Sequence, residues 1–506
     1  MKILTAEQIR EADRYTIENE PVASIDLMER AAAACSQRIA DLVKPSAEIH
    51  LYCGMGNNGG DGLAITRQLL EKKYKCTAFL VKFRDKMSPD AAGNLQKLSE
   101  HFPDSLMEIK DASGFFPPND AVAVDALLGT GGTDRGGGIL EESIRYINKS
   151  YKQIISIDLP SGMLPDGGQK GQPIIRSTLT LTFQLPKMSL LLPENGPFAG
   201  RFEILDIGLS SRAIEEASSK RHYVTAADVA TLLRPRSRFS HKGTFGHALL
   251  LAGSRGKTGA ALMAAEACLR SGAGLLTVHS TPGTLAALTV RLPEAMGSED
   301  DHSEMITQVD HPENYHAVAF GPGTGTSDDT AVVLKKILQH GVQKLVIDAD
   351  GLNILAENKT WLEFLPPAAI LTPLTGEWAR LAGKAADDHE RIKHLLEFAY
   401  RHNCIVILKG AHTCIAMPDG NLFFNSSGNP GLAKGGSGDA LTGVILGLLA
   451  SGYTPPQAAI IGVFLHGFAA DLCRESMAEE SMLANDVISH LGKALQALRR
   501  KYQDPS

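Results

Sequence analysis

This 506-residue sequence lacks the features that mark a membrane, secreted or nucleic-acid-binding protein. Its longest apolar runs, near Ala440–Gly452 and Ala458–Ala470, are too short to span a bilayer and read as buried helices. The opening MKILTAEQIREADRYTIENE turns charged almost at once and carries no apolar stretch of the signal-peptide kind, so a cytoplasmic protein is expected. Positive charge is not in excess. The formal net charge is −7, which disfavours a general role on nucleic acid or at a membrane surface. The seven cysteines are dispersed with no CxxC pair and read as reduced thiols.

What is present is an ordinary globular composition, 43% hydrophobic and 21% charged, so each of two to four domains can bury a core. After two predicted helices, Thr5–Glu18 and Ser24–Val43, a strand at Glu48–Cys53 leads into GMGNNGGDG and a further helix. Strands recur at Cys76–Val81, Ala121–Asp125, Ile154–Asp158 and Thr178–Phe183, with helical patterns between several of them. Alternation of this kind predicts a parallel sheet covered by helices. The pattern lapses in the polar stretch Ser210–Arg221, read as a linker. A second α/β series comes after it, with strands beginning near His247, Gly274, His316, Lys344, Ala368 and Cys404. The halves share no repeat beyond glycine richness and are read as different α/β domains. The polar run Pro293–Asn314 is read as a surface excursion.

Open α/β sheets bind ligands where strands end in glycine-rich turns. In the first half three such ends carry polar side chains: Asn57, Asn58 and Asp61 in GMGNNGGDG, Asp125 before the loop Gly129–Arg135, and Asp158 with Ser161 in SIDLPSG. The glycines let backbone approach a ligand, and the helix start offers free N–H groups to an anion. Several oxygen ligands at one edge suit a hard cation, and a remaining carboxylate can move a proton. Singly, each aspartate is better read as a cap or turn residue.

GNNGGDG, VDALLGTG, SIDLPSG and LPKMSLLLPENGPFAGRFEILDIGLS, in that order, resemble the NAD(P)H-hydrate epimerase family. The resemblance spans residues 1–211 and implies a Rossmann-like domain that interconverts the two epimers of hydrated NAD(P)H. It implies a potassium ion held by Asn58, Asp125 and Ser161. It also implies substrate contacts from Asn57, Asn58, Gly59, Gly60 and Asp61, from Gly129, Thr130, Gly131, Gly132, Thr133, Asp134 and Arg135, and from Asp158, the candidate proton carrier. GTGGTDRGGG departs from the family, in which a bulky apolar residue more often comes after the second glycine.

In the second half, NPGLAKGGSGDALTGVILGLLASG places apolar residues at helical spacing after Asp439, so a helix starts near Gly438. Free N–H groups at such a start attract phosphate oxygens, and the glycines clear the approach. Asp439 in the first turn can take a proton from a hydroxyl that attacks phosphorus, against the plainer reading of a capping aspartate. VILKGAHTCI sets Lys409 and Gly410 at a strand end, suited to nucleotide phosphates. LLLAGSRGKTG lacks the GxxxxGK[ST] spacing and is not a Walker motif.

With SHKGTFGHALLLAGS and VIDADGLNIL, these motifs resemble the ADP-dependent NAD(P)H-hydrate dehydratase family. This resemblance spans residues 222–506 and implies a ribokinase-like domain. The implied reaction phosphorylates the ring hydroxyl from ADP, after which loss of phosphate restores NAD(P)H and leaves AMP. Asp439 would be the base. Gly438 and the turn Lys409, Gly410, Ala411, His412 and Thr413 would contact ADP, while Ala261 and Gly323 would contact the hydrate. Magnesium is expected with the nucleotide, and homo-oligomeric assemblies are implied. Leu374, in TPLTGE, stands where the family's TPHPGE has a substrate-contacting histidine, and leucine offers no hydrogen bond. Glu377 is a candidate to hold magnesium through water or simply to start a helix. The leading reading is one chain repairing hydrated nicotinamide cofactors, NADHX and NADPHX. A ribokinase-type small-molecule kinase with a regulatory first half, and a non-enzymatic nucleotide-binding first half, are the alternatives.

Overall fold

The computed structural model describes residues 1–115, 118, 120–131, 138–167 and 171–502. They form two compact units, Lys2–Ser219 and the residues from Lys220 onward together with Met1.

In the first unit, β1 (Glu48–Cys53), β2 (Lys75–Val81), β3 (Leu106–Ile109), β4 (Val122–Ala126), β5 (Ile154–Ile157), β6 (Leu179–Phe183) and β7 (Arg201–Leu205) form one sheet. Its order is β3-β2-β1-β4-β5-β6-β7. Every neighbouring pair is parallel. The central strands β1, β4 and β5 are almost wholly buried, as a sheet covered on both faces requires. The order reverses between β1 and β4, which creates a crevice at the carboxyl ends of the strands.

The second unit holds a ten-stranded sheet. Its strands are β8 (Arg221–Val224), β9 (His247–Leu251), β10 (Leu275–Ser280), β11 (Met296–Glu299), β12 (Ala317–Phe320), β13 (Leu345–Ile347), β14 (Ile370–Leu371), β15 (Ile405–Leu408), β16 (Cys414–Ala416) and β17 (Leu422–Asn425). They run in the order β11-β10-β9-β12-β13-β14-β15-β16-β17-β8. The pairs β15–β16 and β16–β17 are antiparallel. The reversal falls between β9 and β12, so the second crevice opens there.

The helix that begins beside Gly438 runs Ser437–Ala450 and is buried from Ala440 onward. It crosses the helix Thr258–Arg270 at very short range. A Cβ on Gly443 would sit 2.1 Å from the Ala264 carbonyl oxygen, and one on Gly447 would sit 2.3 Å from that of Cys268. Two glycines four apart thus let one backbone lie on the other. The helix Pro455–Arg474 has 20 residues and by length and composition alone would pass for a membrane span, because its flanks extend the apolar run; two-thirds of its apolar window is packed inside the protein. All seven cysteines are buried free thiols.

Two polar segments differ from expectation. Ser210–Arg221 holds a short helix, Ser211–Glu216, braced by an Arg212–Glu216 pair at 2.8 Å, and its last residue begins β8. Within Pro293–Asn314, Met296–Glu299 is a strand pairing with β10. The buried Asp300 organises the turn after this strand, accepting hydrogen bonds from the amides of His302, Thr307 and Gln308 and from the Thr307 hydroxyl.

Candidate active sites

At the first crevice, β1 feeds the helix Asn57–Glu71 through Gly54-Met55-Gly56. Most glycines of this turn answer to protein neighbours. A Cβ on Gly59 would lie 1.9 Å from the Gly54 oxygen, on Gly60 2.7 Å from Met28 Sδ, and on Gly62 2.6 Å from Ala126 Cβ. They seat the helix on the sheet rather than opening backbone to a ligand. Gly56 alone borders space, with only Arg84 Nη2 within range at 3.2 Å.

Asn58, Asp125 and Ser161 come together across β1, β4 and β5. Asp125 is fully buried. It accepts from Ser161 Oγ at 2.5 Å, the Ser161 amide at 2.8 Å and Ser156 Oγ at 2.7 Å. Burial raises its pKa, and those bonds pull it back. Asn58 Nδ2 donates to the Leu128 carbonyl at 2.8 Å, and the Leu128 amide donates to Ser161 Oγ at 2.9 Å. Asn58 Oδ1 is buried without a hydrogen-bond partner. An orphaned oxygen beside a buried carboxylate is a donor set that suits a cation.

Asp158 leaves β5 with φ +65°, a left-handed conformation that an aspartate tolerates better than most residues. Its Oδ1 accepts from Lys187 Nζ at 2.5 Å and from the Phe183 amide at 3.2 Å. Lys187 is 1% exposed and also donates to the Phe183 carbonyl at 2.9 Å. Asp61 and Asp13 complete the charged group. Burial, then the Asp158 charge, push the Asp61 carboxyl well up and that of Asp13 to about 6. A carboxylate paired with a lysine, beside a second carboxyl that burial pushes well up, can serve as an acid–base pair. Gly129, Thr130 and Gly131 come after β4, with Gly129 packed on the Asn58 side chain. Gly132, Thr133, Asp134 and Arg135 lie outside the described residues.

At the second crevice, Gly436 takes φ +92° as the cap of the helix Ser437–Ala450, and Asp439 sits in its first turn. Nothing lies within 4 Å of a Cβ placed on Gly435, while Gly438 has Lys409 Nζ at 3.3 Å. Lys409 Nζ donates to Asp348 Oδ1 at 2.9 Å, and Thr442 Oγ1 donates to Asp348 Oδ2 at 2.7 Å. No hydrogen bond engages the Asp439 side chain among the described residues, so it does not cap the helix. Burial first, then Asp348, push its carboxyl up to about 6, against the pull of Lys409. The turn Lys409–Thr413 joins β15 to β16 and is held by Thr413 Oγ1 donating to the Gly410 carbonyl at 3.1 Å. Gly410 and Ala411 are exposed there, and His412 Nδ1 lies 3.2 Å from the Asn425 carbonyl oxygen.

The loops after β9 and β12 share this edge: the Gly253 amide donates to the Pro322 carbonyl at 2.8 Å, and Ser254 Oγ to the Gly323 carbonyl at 2.8 Å. Gly323 has φ +64°. Ala261 is fully buried in the core beneath. Leu374 lies just past β14 and is 53% exposed. Glu377 accepts from the Leu374 amide at 2.7 Å, so it caps the helix Thr375–Ala382. Asp348, Thr442 and Lys187 were not among the expected site residues. Asp348 ends β13 just as Asp125 and Asp158 end theirs, so the strand-end rule applied to VIDADG finds it. Lys187 carries no such local signal.

The folds and sites define a chain of two different α/β domains, each with a carboxylate beside a lysine at the carboxyl ends of its strands. The NAD(P)H-hydrate dehydratase family matches residues 248–493, and the YjeF-related protein N-terminus family matches residues 24–189. The bifunctional NAD(P)H-hydrate repair enzyme Nnr of Moorella thermoacetica is 33% identical, covering 99% of this chain and 98% of its own length. That of Escherichia coli is 31% identical over 96% and 92%. The crystal structure of the ADP/ATP-dependent NAD(P)H-hydrate dehydratase from Bacillus subtilis, co-crystallised with ATP/Mg2+, is 31% identical over 55% of this chain and 98% of its own, with a TM-score of 0.47. The chain belongs to the bifunctional NAD(P)H-hydrate repair enzyme family.

Proposed function

We propose that this chain repairs hydrated NAD(P)H in two steps, exchanging the R and S epimers at the first crevice and dehydrating the S form at the second. The observation that carries the reading is Asp439: a half-buried carboxylate with no hydrogen-bond partner among the described residues, beside an open helix start and the Lys409–Asp348 pair.

In the second unit, ADP binds with its phosphates at the amides around Gly438, its chain running along the Lys409–Thr413 turn. Lys409, paired with the buried Asp348, neutralises charge as the β-phosphoryl group moves. Asp439 takes the proton of the ring hydroxyl, whose oxygen attacks the β-phosphorus while AMP departs. The carbon–oxygen bond then breaks with phosphate taking the electron pair, and the neighbouring ring carbon loses a proton to restore the double bond. Hydroxide would be a poor leaving group in that step and phosphate is a good one. Magnesium, bound with the nucleotide, would supply positive charge to the phosphates. Gly323 and Leu374 mark the side on which the hydrate lies, with Ala261 in the core beneath.

In the first unit, Asp158 accepts and returns the proton during epimer exchange, paired with Lys187, with Asp61, whose carboxyl burial pushes well up, as its counterpart. The substrate lies against Asn57, Asn58 and Asp61 and the loop that begins at Gly129. Asn58, Asp125 and Ser161 would hold a potassium ion, which supplies a fixed positive charge beside the anionic substrate. The seven buried thiols suit a cytoplasmic protein. Homo-oligomeric assembly is read by light scattering of the purified chain.

Incubation with ADP and hydrated NADH tests the reading. Return of the reduced-nicotinamide absorbance with release of AMP supports it. A stable phosphorylated alcohol, formed from some other substrate, points instead to a small-molecule kinase.

A further inference from the structure

A cavity of about 600 Å³ at the carboxyl ends of β2 and β3 is used by neither step above. Its lining includes Met55, Lys82, Phe83, Arg84, Met87 and Lys110. The positive charge here exceeds the negative. Lys82 and Lys110 share one carboxylate, Glu108, at 2.5 and 3.2 Å. Asp85 is the acid in the lining itself. Arg84 has no carboxylate partner among the described residues. Its guanidinium lies over the Phe83 ring, 5.7 Å from the centroid, and its Nη2 is the nearest group to the Cβ position of Gly56. Gly56 caps the helix Asn57–Glu71, so the cavity adjoins the amides of that helix start. Ser88 Oγ, next along the chain from Met87, is buried without a partner.

A dinucleotide on a doubly wound sheet lies across the carboxyl edge, its pyrophosphate over the helix after the first strand. The far ribose then meets the end of the second strand. An acid there accepts from a free 2′-hydroxyl, whereas a cation there takes a 2′-phosphate. Here β2 runs directly into Lys82-Phe83-Arg84. With strands roughly 4.8 Å apart, β2 lies about 14 Å from β5 and Asp158. A hydrated ring at Asp158 therefore leaves the adenosine end of the same molecule near this cavity.

We propose that this cavity seats the 2′-phosphate of hydrated NADPH, with Arg84 as its principal contact and Lys82 and Lys110 beside it, so that the epimerase site favours the phosphorylated substrate. The assignment rests on the epimerase reading and names what that reading leaves open. The pyrophosphate common to both cofactors is the same anion chemistry, and the test separates the two.

Epimer exchange is measured without ADP on the full chain, with R-NADPHX and R-NADHX in parallel, for wild type, Arg84→Gln and Arg84→Lys. Loss of a charge-assisted phosphate contact in Arg84→Gln raises KM for the phosphorylated substrate about tenfold or more, with kcat unchanged and KM for R-NADHX unmoved. Arg84→Lys recovers part of the loss, because lysine keeps the charge without the fork. Added salt narrows the wild-type preference. An equal rise for both substrates assigns Arg84 to the pyrophosphate and overturns the proposal, as does no change for either. If wild type exchanges neither substrate, the epimerase reading fails with it, a result distinct from both. Arg84 is exposed and holds no structural ion pair, so an unchanged thermal transition certifies the variants.

Discussion

Asp158 is a buried carboxylate and Asp439 a half-buried one, each beside a lysine, yet their surroundings suit them to different work. Lys409 gives its bond to Asp348 rather than to Asp439, whereas Lys187 bonds Asp158 directly. A carboxylate pushed up to about 6 is mostly ionised at neutral pH and more basic than an ordinary aspartate. Only its ionised form accepts the proton. For dehydration, kcat/KM therefore rises with pH through about 6 and levels above it, and Asp439→Asn lowers the rate by about 10²–10⁴-fold while epimer exchange persists. Lys187→Met leaves the Asp158 charge buried and unpaired, which costs about 3–5 kcal/mol of stability in the first unit by thermal denaturation. Leu374→His restores a polar contact where leucine offers none. A net hydrogen bond of about 1 kcal/mol lowers KM for the hydrate roughly fivefold, read from initial rates of the ADP-driven reaction.

At the scale of elements, helix starts and the glycines that seat them make the sites. Gly443 lies where the helix Ser437–Ala450 meets the carbonyl of Ala264, so Gly443→Ala forces two backbones apart. The expected cost is about 1–3 kcal/mol, seen as a lowered thermal midpoint of the second unit and a weaker ADP response. The helix start at Asp439 was legible because apolar residues mark its face from Leu441 onward. Asp125, Asp158 and Ser161 were legible because each comes after a short apolar run that ends abruptly. What was not legible depends on neighbours far along the chain. The glycines of GMGNNGGDG look like a ligand turn in sequence, but the atoms they accommodate come from Gly54, Met28 and Ala126. The strand Met296–Glu299 reads MGSE, an edge strand with three of its four residues exposed, so no apolar pattern announces it. Asp300 looks like one more surface acid until the chain folds His302, Thr307 and Gln308 around it.

For the whole molecule, two different α/β units in one polypeptide make chemical sense if the second site accepts a single epimer, because the other form then needs conversion before it can be repaired. The central claim is this division of labour, and the ADP-driven recovery of reduced-nicotinamide absorbance, run with pure S and pure R epimers on wild type and Asp158→Ala, tests it most directly. The account predicts that wild type repairs both epimers, and that Asp158→Ala repairs the S form at the wild-type rate and the R form only as fast as it epimerises unaided. Repair of the R form by Asp158→Ala at the wild-type rate would contradict it.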